Sequence, residues 1–452
     1  MTPSATTSLQ LGSSYRQILA ISLPISAALM VPFLNVTINN YFLSQLGESE
    51  LGTAGITGVY FLVLAVIGNG LNNALQAIIS RRAGENNADA IGRSFGQGMR
   101  IAVLFALTAI GITYLLAPGL LQYALYQQEV EARTLGFLKI RVWGLPFLYL
   151  FQMGNALLVG TTHSRYLIFG TAAETVVNVV LDYGLIFGNL GLPRLGFNGA
   201  AWASVAAEAT GCCTVLLVIV FKGLHRQFSL FRYLRPLPTE SRLLLRTSAP
   251  LIGQYGISII SWLLFYFLME HRGEQALAIS NMMRNVFMLT GIFTWAFAST
   301  TNTMVSNIIG QQRNHEVLPL IRKIMCLSLL AAVVMIVLLL LLAEPLFRFY
   351  GLSESFVTHA LPVLQVVCGG ILVMSAGVIW LNAVTGTGQT RINLWIEVVA
   401  IIVYVAYVLW VLEYMHWSIV WGWASEIFYW GVIGVLAFVY MHSKRWQQQK
   451  AF

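Results

Sequence analysis

Charge is what this sequence lacks most. Only 10% of its 452 residues are Asp, Glu, Lys or Arg, where a soluble chain carries about a quarter. With a mean hydropathy of +0.73, that scarcity excludes an ordinary soluble enzyme, a disordered chain and a secreted disulfide scaffold. Cysteine is scarce too. Cys212, Cys213, Cys326 and Cys368 all lie in apolar runs, so buried free thiols are expected rather than a disulfide framework. No Walker A sequence occurs, so ATP is not expected to drive this chain directly. All seven His read as loop or helix-end residues, and no paired acids show metal-ligand spacing. A membrane-embedded hydrolase or acyltransferase therefore has no candidate site, and no cofactor is expected. The first fourteen residues are polar with no short apolar segment and cleavage site behind them, so no cleaved signal peptide is expected.

What the sequence has is long apolar runs. A spanning helix needs about 20 mostly apolar residues, and twelve such segments are read: 15–44, 53–79, 95–117, 137–160, 166–188, 198–221, 245–269, 276–308, 323–343, 361–384, 391–412 and 417–441. The expected fold class is an all-α polytopic membrane protein. The runs are too long and too continuously apolar for the alternating strands of a barrel. Nineteen of the 26 Lys and Arg residues fall in one set of loops and six in the other, with Arg284 inside a helix. The positive-inside rule then places both termini in the cytoplasm of a cell inner membrane. The net charge of +8 reads as basic loops beside anionic lipid rather than as a nucleic-acid surface. A monomer is expected.

The basic segment 222–246 divides the chain near its middle, and an offset of 226 brings the halves into register. Ser22 and Pro24 fall on Ser248 and Pro250, Ser80 and Gly84 on Ser306 and Gly310, and Gly160, Thr161 and Arg165 on Gly386, Thr387 and Arg391. The expected organisation is a six-helix bundle over 1–221, a cytoplasmic linker over 222–246 and a second six-helix bundle over 247–452. An even number of helices makes the halves parallel repeats about a pseudo-twofold axis along the membrane normal, an architecture suited to alternating access.

Polar groups at membrane depth are costly and usually face a bundle interior or a water-filled cavity. In the fifth segment, Glu174, Asn178 and Asp182 stand at i, i+4 and i+8, within 80° of one another around the helix. Asn69, Asn72, Asn73 and Gln76 share a face of the second, Asn35 and Asn39 a face of the first, and Ser204 and Glu208 a face of the sixth. These stripes suggest a polar chamber in the N-terminal bundle, with Asn35, Asn69, Asn73 and Gln76 on the substrate path. Interhelical hydrogen bonding as structural glue is the alternative for the second-segment amides. Burial disfavours an ionised carboxylate, so Asp182 with Asn178 could exchange H⁺ or hold Na⁺, with Glu174 and Glu208 as weaker candidates. In the C-terminal half a buried Arg284 needs a partner, and Glu426 or Glu397 is expected to supply it as a structural ion pair. Asn302, within the hydroxyl-rich run 299–303, is a further substrate-path candidate. Pro24 and Pro32 interrupt the first segment and mark expected hinges.

These features resemble the multidrug and toxic compound extrusion (MATE) family of antiporters over nearly the whole chain. Ser22-Leu23-Pro24 and Ser248-Ala249-Pro250 look like its paired helix starts. Ile140-Arg141-Val142-Trp143-Gly144-Leu145-Pro146 is similar to its fourth-helix opening. Asn178-Val179-Val180-Leu181-Asp182-Tyr183-Gly184-Leu185-Ile186-Phe187-Gly188 resembles its fifth-helix Asn-x-x-x-Asp cation site. Gly199-Ala200-Ala201-Trp202-Ala203-Ser204 resembles its sixth-helix opening, and Gly386-Thr387-Gly388-Gln389-Thr390-Arg391 its tenth-to-eleventh turn. The resemblance implies export of cationic amphipathic compounds in exchange for H⁺ or Na⁺, with the ion role carried to Asp182, Asn178 and Ser204. The sequence departs from the pattern at Asn39, Ser258 and Met374, where some branches carry acids. That leaves the coupling to the N-terminal acids. A lipid-linked oligosaccharide flippase of the same wider superfamily is the alternative, though it would need a cavity lined with Arg and Lys.

Overall fold

The computed structural model describes residues 9–125, 127–349 and 354–448, and every regular element among them is helical. Lys450 of the basic loops lies outside the described residues, as does the side chain of Arg348. The twelve expected segments all appear as helices, several of them longer than the apolar run that announces them. In order they are Tyr15–Ser44, Glu48–Gly84, Ala88–Ala124, Gln128–Arg141 continued through a 3-10 turn into Leu145–Gly160, Leu167–Phe187, Phe197–Phe221, Pro238–Glu270, Glu274–Gly310, Val317–Phe349, Glu354–Thr387, Thr390–Leu409, and Ile419–Trp423 followed by Ser425–His442. The chain is an all-α polytopic membrane protein.

Eleven helices among the described residues are long and apolar enough to cross a membrane. The fifth, Leu167–Phe187, has 21 residues, about 31 Å of helix. It falls outside that set because Glu174, Asn178 and Asp182 dilute its apolar run. The span that carries Asp182 is thus the one that hydropathy alone would miss.

Spans also declare themselves by their outward faces. Leu104, Leu107, Leu115, Leu116 and Leu120 of the third are exposed, a stripe that hydrocarbon solvates and water would not. The same inside–outside rule separates two adjacent thiols. Cys212 is buried and Cys213 exposed, because neighbouring helical residues point about 100° apart. Cys326 is exposed as well, so only Cys212 and Cys368 are the buried thiols expected.

The chain forms two compact units: residues 27–252 with 1–9, and residues 253–452 with 10–26. Both divisions fall inside helices, in the first and seventh spans, rather than at the basic segment 222–246. In the first unit, that segment is strapped to the third span through one buried side chain. Gln97 donates from Nε2 to the carbonyls of Tyr233 and Arg235 (2.8 Å each), and its Oε1 accepts from Leu237 N (3.1 Å) and Ser241 Oγ (2.9 Å). Phe228 is fully buried. A flexible linker would leave these carbonyls to water. Here Gln97 satisfies them.

In the second unit, Phe265, Met283, Val367, Tyr404 and Trp423 belong to one apolar core that joins the seventh, eighth, tenth, eleventh and twelfth spans. The indole of Trp423 donates to Ser280 Oγ (3.1 Å), and the rings of Phe265 and Trp423 meet edge to face at 5.3 Å. Residues Leu11 and Ser13 attach here too, through Asn307, Gln311, Glu316 and Lys323.

Replacing Gln97 by Leu keeps its volume but orphans two carbonyls and two donors. The expected loss is about 2 kcal/mol or more, read as a lower melting temperature of the detergent-solubilised protein. An unchanged melting temperature would show that the strap is unimportant.

Candidate functional site

The site grows from the packing of the fifth and sixth spans. A left-handed Gly188 (φ 78°) closes the fifth, and the turn returns so that Leu195 N donates to Leu185 O (2.7 Å). The sixth then starts against the fifth. A Cβ on Gly199 would lie 2.6 Å from Leu185 O, so only glycine allows this approach. The effect is to hold the polar stripe of the fifth span on a fixed inner face.

Asp182 is fully buried and Asn178 nearly so. Among the described residues, both carboxylate oxygens of Asp182 lack any hydrogen-bond partner, as does Nδ2 of Asn178. The first span brings two more such atoms, Oδ1 of Asn35 and Oδ1 of Asn39. The two helices meet just beyond, where the rings of Phe42 and Phe187 approach edge to face at 6.0 Å and Leu43 and Ile186 share one buried cluster. Asn39 precedes Leu43 by one turn, and Asp182 precedes Ile186 by one turn. Asn35 and Asn178 lie one turn further back. The first and fifth spans run the same way through the membrane, so these amides and the carboxylate stand at matching levels.

Most buried polar atoms find partners. Here several oxygens and an amide nitrogen do not. One carboxylate among neutral amide oxygens provides a single negative charge and hard ligands, a set suited to H⁺ or to a monovalent cation. Divalent Ca²⁺ or Mg²⁺ would call for more oxygen ligands or bound phosphate. Among the described residues no cluster of three or more His, Cys, Asp or Glu could hold a metal.

The neighbouring acids are placed differently. Glu208 receives both terminal nitrogens of Arg141, at 2.6 and 2.8 Å, and Arg141 also lies 3.6 Å over the ring of Phe61. Gly144 leaves the room, since a Cβ there would stand 1.9 Å from Glu208 Oε2. Glu174 is half-buried against Gly211, within electrostatic range of both Arg141 and Glu208. Ser204, one turn before Glu208, is half-buried. Sequence reasoning placed Arg141 at the opening of the fourth segment but did not identify its partner. The signal was the acid at 208, which needed a cation nearby.

The second-span amides divide. Asn69 Oδ1 accepts from Gln152 Nε2 of the fourth span (2.9 Å), and Asn73 Nδ2 donates to Asn69 O (3.2 Å). Gln76 is buried, while Oδ1 of Asn72 has no partner. Asn69 thus ties the second span to the fourth. Asn302 is fully buried within the eighth span, and its neighbours Thr300 and Thr301 donate to Ala296 O and Phe297 O (2.8 Å each).

The expected ion pair in the second unit is corrected. Arg284 lies over Trp262 (5.8 Å) and Tyr266 (5.5 Å), and no ion pair to it is found among the described residues. A guanidinium is delocalised and weakly hydrated, so aromatic faces can receive it. Glu397 instead accepts from Ser258 Oγ (2.5 Å), Gln254 Nε2 (3.2 Å) and the Tyr429 hydroxyl. Glu426 accepts from Trp430 Nε1 (3.1 Å). In the first span, Pro24 and Pro32 are carried within an unbroken helix, and the boundary between units falls two residues after Pro24.

Comparison with known proteins follows the same division. The MatE family model matches residues 24–184 and again residues 250–410, two matches whose starts and ends both stand 226 residues apart. The probable multidrug resistance protein NorM of Agrobacterium fabrum is 27% identical over 50% of this chain and 48% of its own length. That of Thermotoga maritima is 23% identical over 74% of this chain and 72% of its own. The chain thus spans about half the length of the first of these relatives. A MOP superfamily transporter from Pyrococcus furiosus has the same fold, with a TM-score of 0.87 at 16% identity over 96% of both chains. The chain belongs to the MatE family.

Breaking the Arg141–Glu208 pair leaves a buried charge alone, at a cost of about 3–5 kcal/mol. Arg141→Leu should therefore lower the melting temperature sharply, and the double change R141L/E208L should recover most of it. A double variant as unstable as the single would refute a simple ion pair.

Proposed function

We propose that this MatE-family chain is an ion-coupled antiporter. It exports cationic amphipathic organic compounds by alternating access and draws on H⁺ or Na⁺. The observation that carries this reading is the carboxylate of Asp182, buried with no partner for either oxygen. An ionised carboxylate without hydrogen bonds in a low-dielectric interior is costly, so it gains strongly from any cation it can take up. An organic cation and an inorganic one can satisfy that need in turn, which is the chemical basis of exchange.

In the proposed cycle, ionised Asp182 holds a cationic cargo in the polar chamber of the first unit. H⁺, or Na⁺ with oxygen ligands from Asn178, Asn35 and Asn39, then neutralises the carboxylate and the cargo leaves outward. The first span bends near Pro24 or Pro32, each of which lacks the N–H that would tie it to the preceding turn. The ion is released inward, where the basic loops place the termini. Glu174 is the second candidate acid, because it shares the helix face of Asp182. Glu208 supports it indirectly by holding Arg141. The acting unit is a single chain in the inner membrane.

A flippase for lipid-linked oligosaccharides is less well supported. Such a cargo would need free basic groups at depth, and Arg141 and Arg284 are taken up by Glu208 and by aromatic rings.

The test is efflux of ethidium from proteoliposomes under an imposed pH or Na⁺ gradient. Wild type should respond to one of the two gradients. Asp182→Asn should fold, keep its melting temperature and lose gradient-driven efflux by at least about tenfold, equivalent to about 1.4 kcal/mol of coupling. Unchanged efflux by that variant would overturn the assignment.

A further inference from the structure

A groove of about 410 Å³ opens between the eleventh and twelfth spans, near their ends beside the C-terminus. Its walls are two apolar stripes. Ile392, Trp395, Ile396 and Val399 stand at i, i+3, i+4 and i+7 on the eleventh span, and Leu436 and Val439 face them from the twelfth. The stripe from Ile392 to Val399 runs about 10 Å along the axis. Trp395 is 68% exposed and Val439 58%, so the groove is open along its side rather than sealed in the core.

The groove changes character at one end. Tyr440, Ser443 and Arg445 complete its lining there, and the buried hydroxyl of Tyr440 has no hydrogen-bond partner. Arg445 is kept at this mouth by its neighbour Trp446, which is buried and donates from Nε1 to Met441 O (2.9 Å). Exposed Lys444 and Arg391 flank the same end. No acid occurs between residues 385 and 396 or after Glu426, and Glu397 is turned inward to Gln254, Ser258 and Tyr429. An apolar channel thus ends in cations and an unsatisfied hydroxyl, with no counter-charge among the described residues.

We propose that this groove is a binding site for an anionic phospholipid of the leaflet that meets the C-terminus, which the basic loops make the cytoplasmic one. One acyl chain lies along the two stripes, with the indole of Trp395 at the interfacial depth such rings favour. The phosphate accepts from Arg445 and from the Tyr440 hydroxyl, and Lys444 and Arg391 add attraction for negative charge. A zwitterionic lipid would fill the apolar channel equally well but would set its own cation against these side chains. The site rests only on the chain spanning a bilayer and does not depend on Asp182.

Native mass spectrometry of the purified full chain, titrated with phosphatidylglycerol or with phosphatidylcholine of the same acyl chains, tests the site. One phosphatidylglycerol should be retained per chain, at least about fivefold more tightly than phosphatidylcholine. Arg445→Gln should cut that preference about fivefold, the worth of one cation near an anionic headgroup. Val439→Trp fills the channel while leaving every cation in place, and should abolish retention with an unchanged melting temperature. Val399→Trp, from the opposite wall, serves if that variant does not fold. Equal retention of the two lipids would overturn the proposal. So would full retention by a correctly folded channel-filling variant, since binding would then be attraction to a basic surface only.

Discussion

A carboxylate kept from water with nothing bonded to either oxygen is the constraint around which this protein is arranged. The other buried acids of the membrane region show how unusual that is. Glu208 has a guanidinium, Glu397 has two hydroxyls and an amide, and Glu426 has an indole. Each of those groups accepts at least one hydrogen bond from a neighbour. Asp182 is fully buried, and neither of its oxygens has a hydrogen-bond partner among the described residues. In the proposed reading, that cost is recovered when a cation arrives.

The rest of the first unit keeps that site rigid. The fifth and sixth spans approach through Gly199, the Arg141–Glu208 pair pins the fourth span to the sixth, and Gln152 ties the fourth to Asn69 of the second. Gln97 closes the loop side by holding the basic segment against the third span. Polar residues at membrane depth are therefore of two kinds here: Arg141 with Glu208 and Gln152 with Asn69 pair across helices, and Asp182 has no hydrogen-bond partner among the described residues. The first span belongs to both units, in part to each.

Much of this was legible in the sequence, for physical reasons that can be named. Twelve apolar runs had to be helices because hydrocarbon leaves backbone groups no other partner. The repeat showed as Ser-x-Pro and Gly-Thr pairs 226 residues apart, the spacing at which the MatE family model matches twice. The stripe Glu174, Asn178 and Asp182 followed from helical periodicity. What stayed hidden depended on distances across the chain. Arg141 had no visible partner, because sequence cannot show that Glu208 comes to it. Arg284 looked as if it required an acid, because an aromatic face provided by Trp262 and Tyr266 has no sequence signature. The full burial of Asn302 was hidden as well, because it depends on how closely the tenth span packs, where a Cβ on Gly386 would lie 2.8 Å from Asn302 O.

Ion displacement by cargo is the most direct measure of whether one cation replaces another at Asp182. Ethidium binding to the purified protein can be followed by calorimetry in buffers of different ionisation enthalpy, and again over a series of Na⁺ concentrations. The account predicts that about one H⁺ or one Na⁺ leaves for each ethidium bound. Binding that is indifferent to both pH and Na⁺ would contradict it.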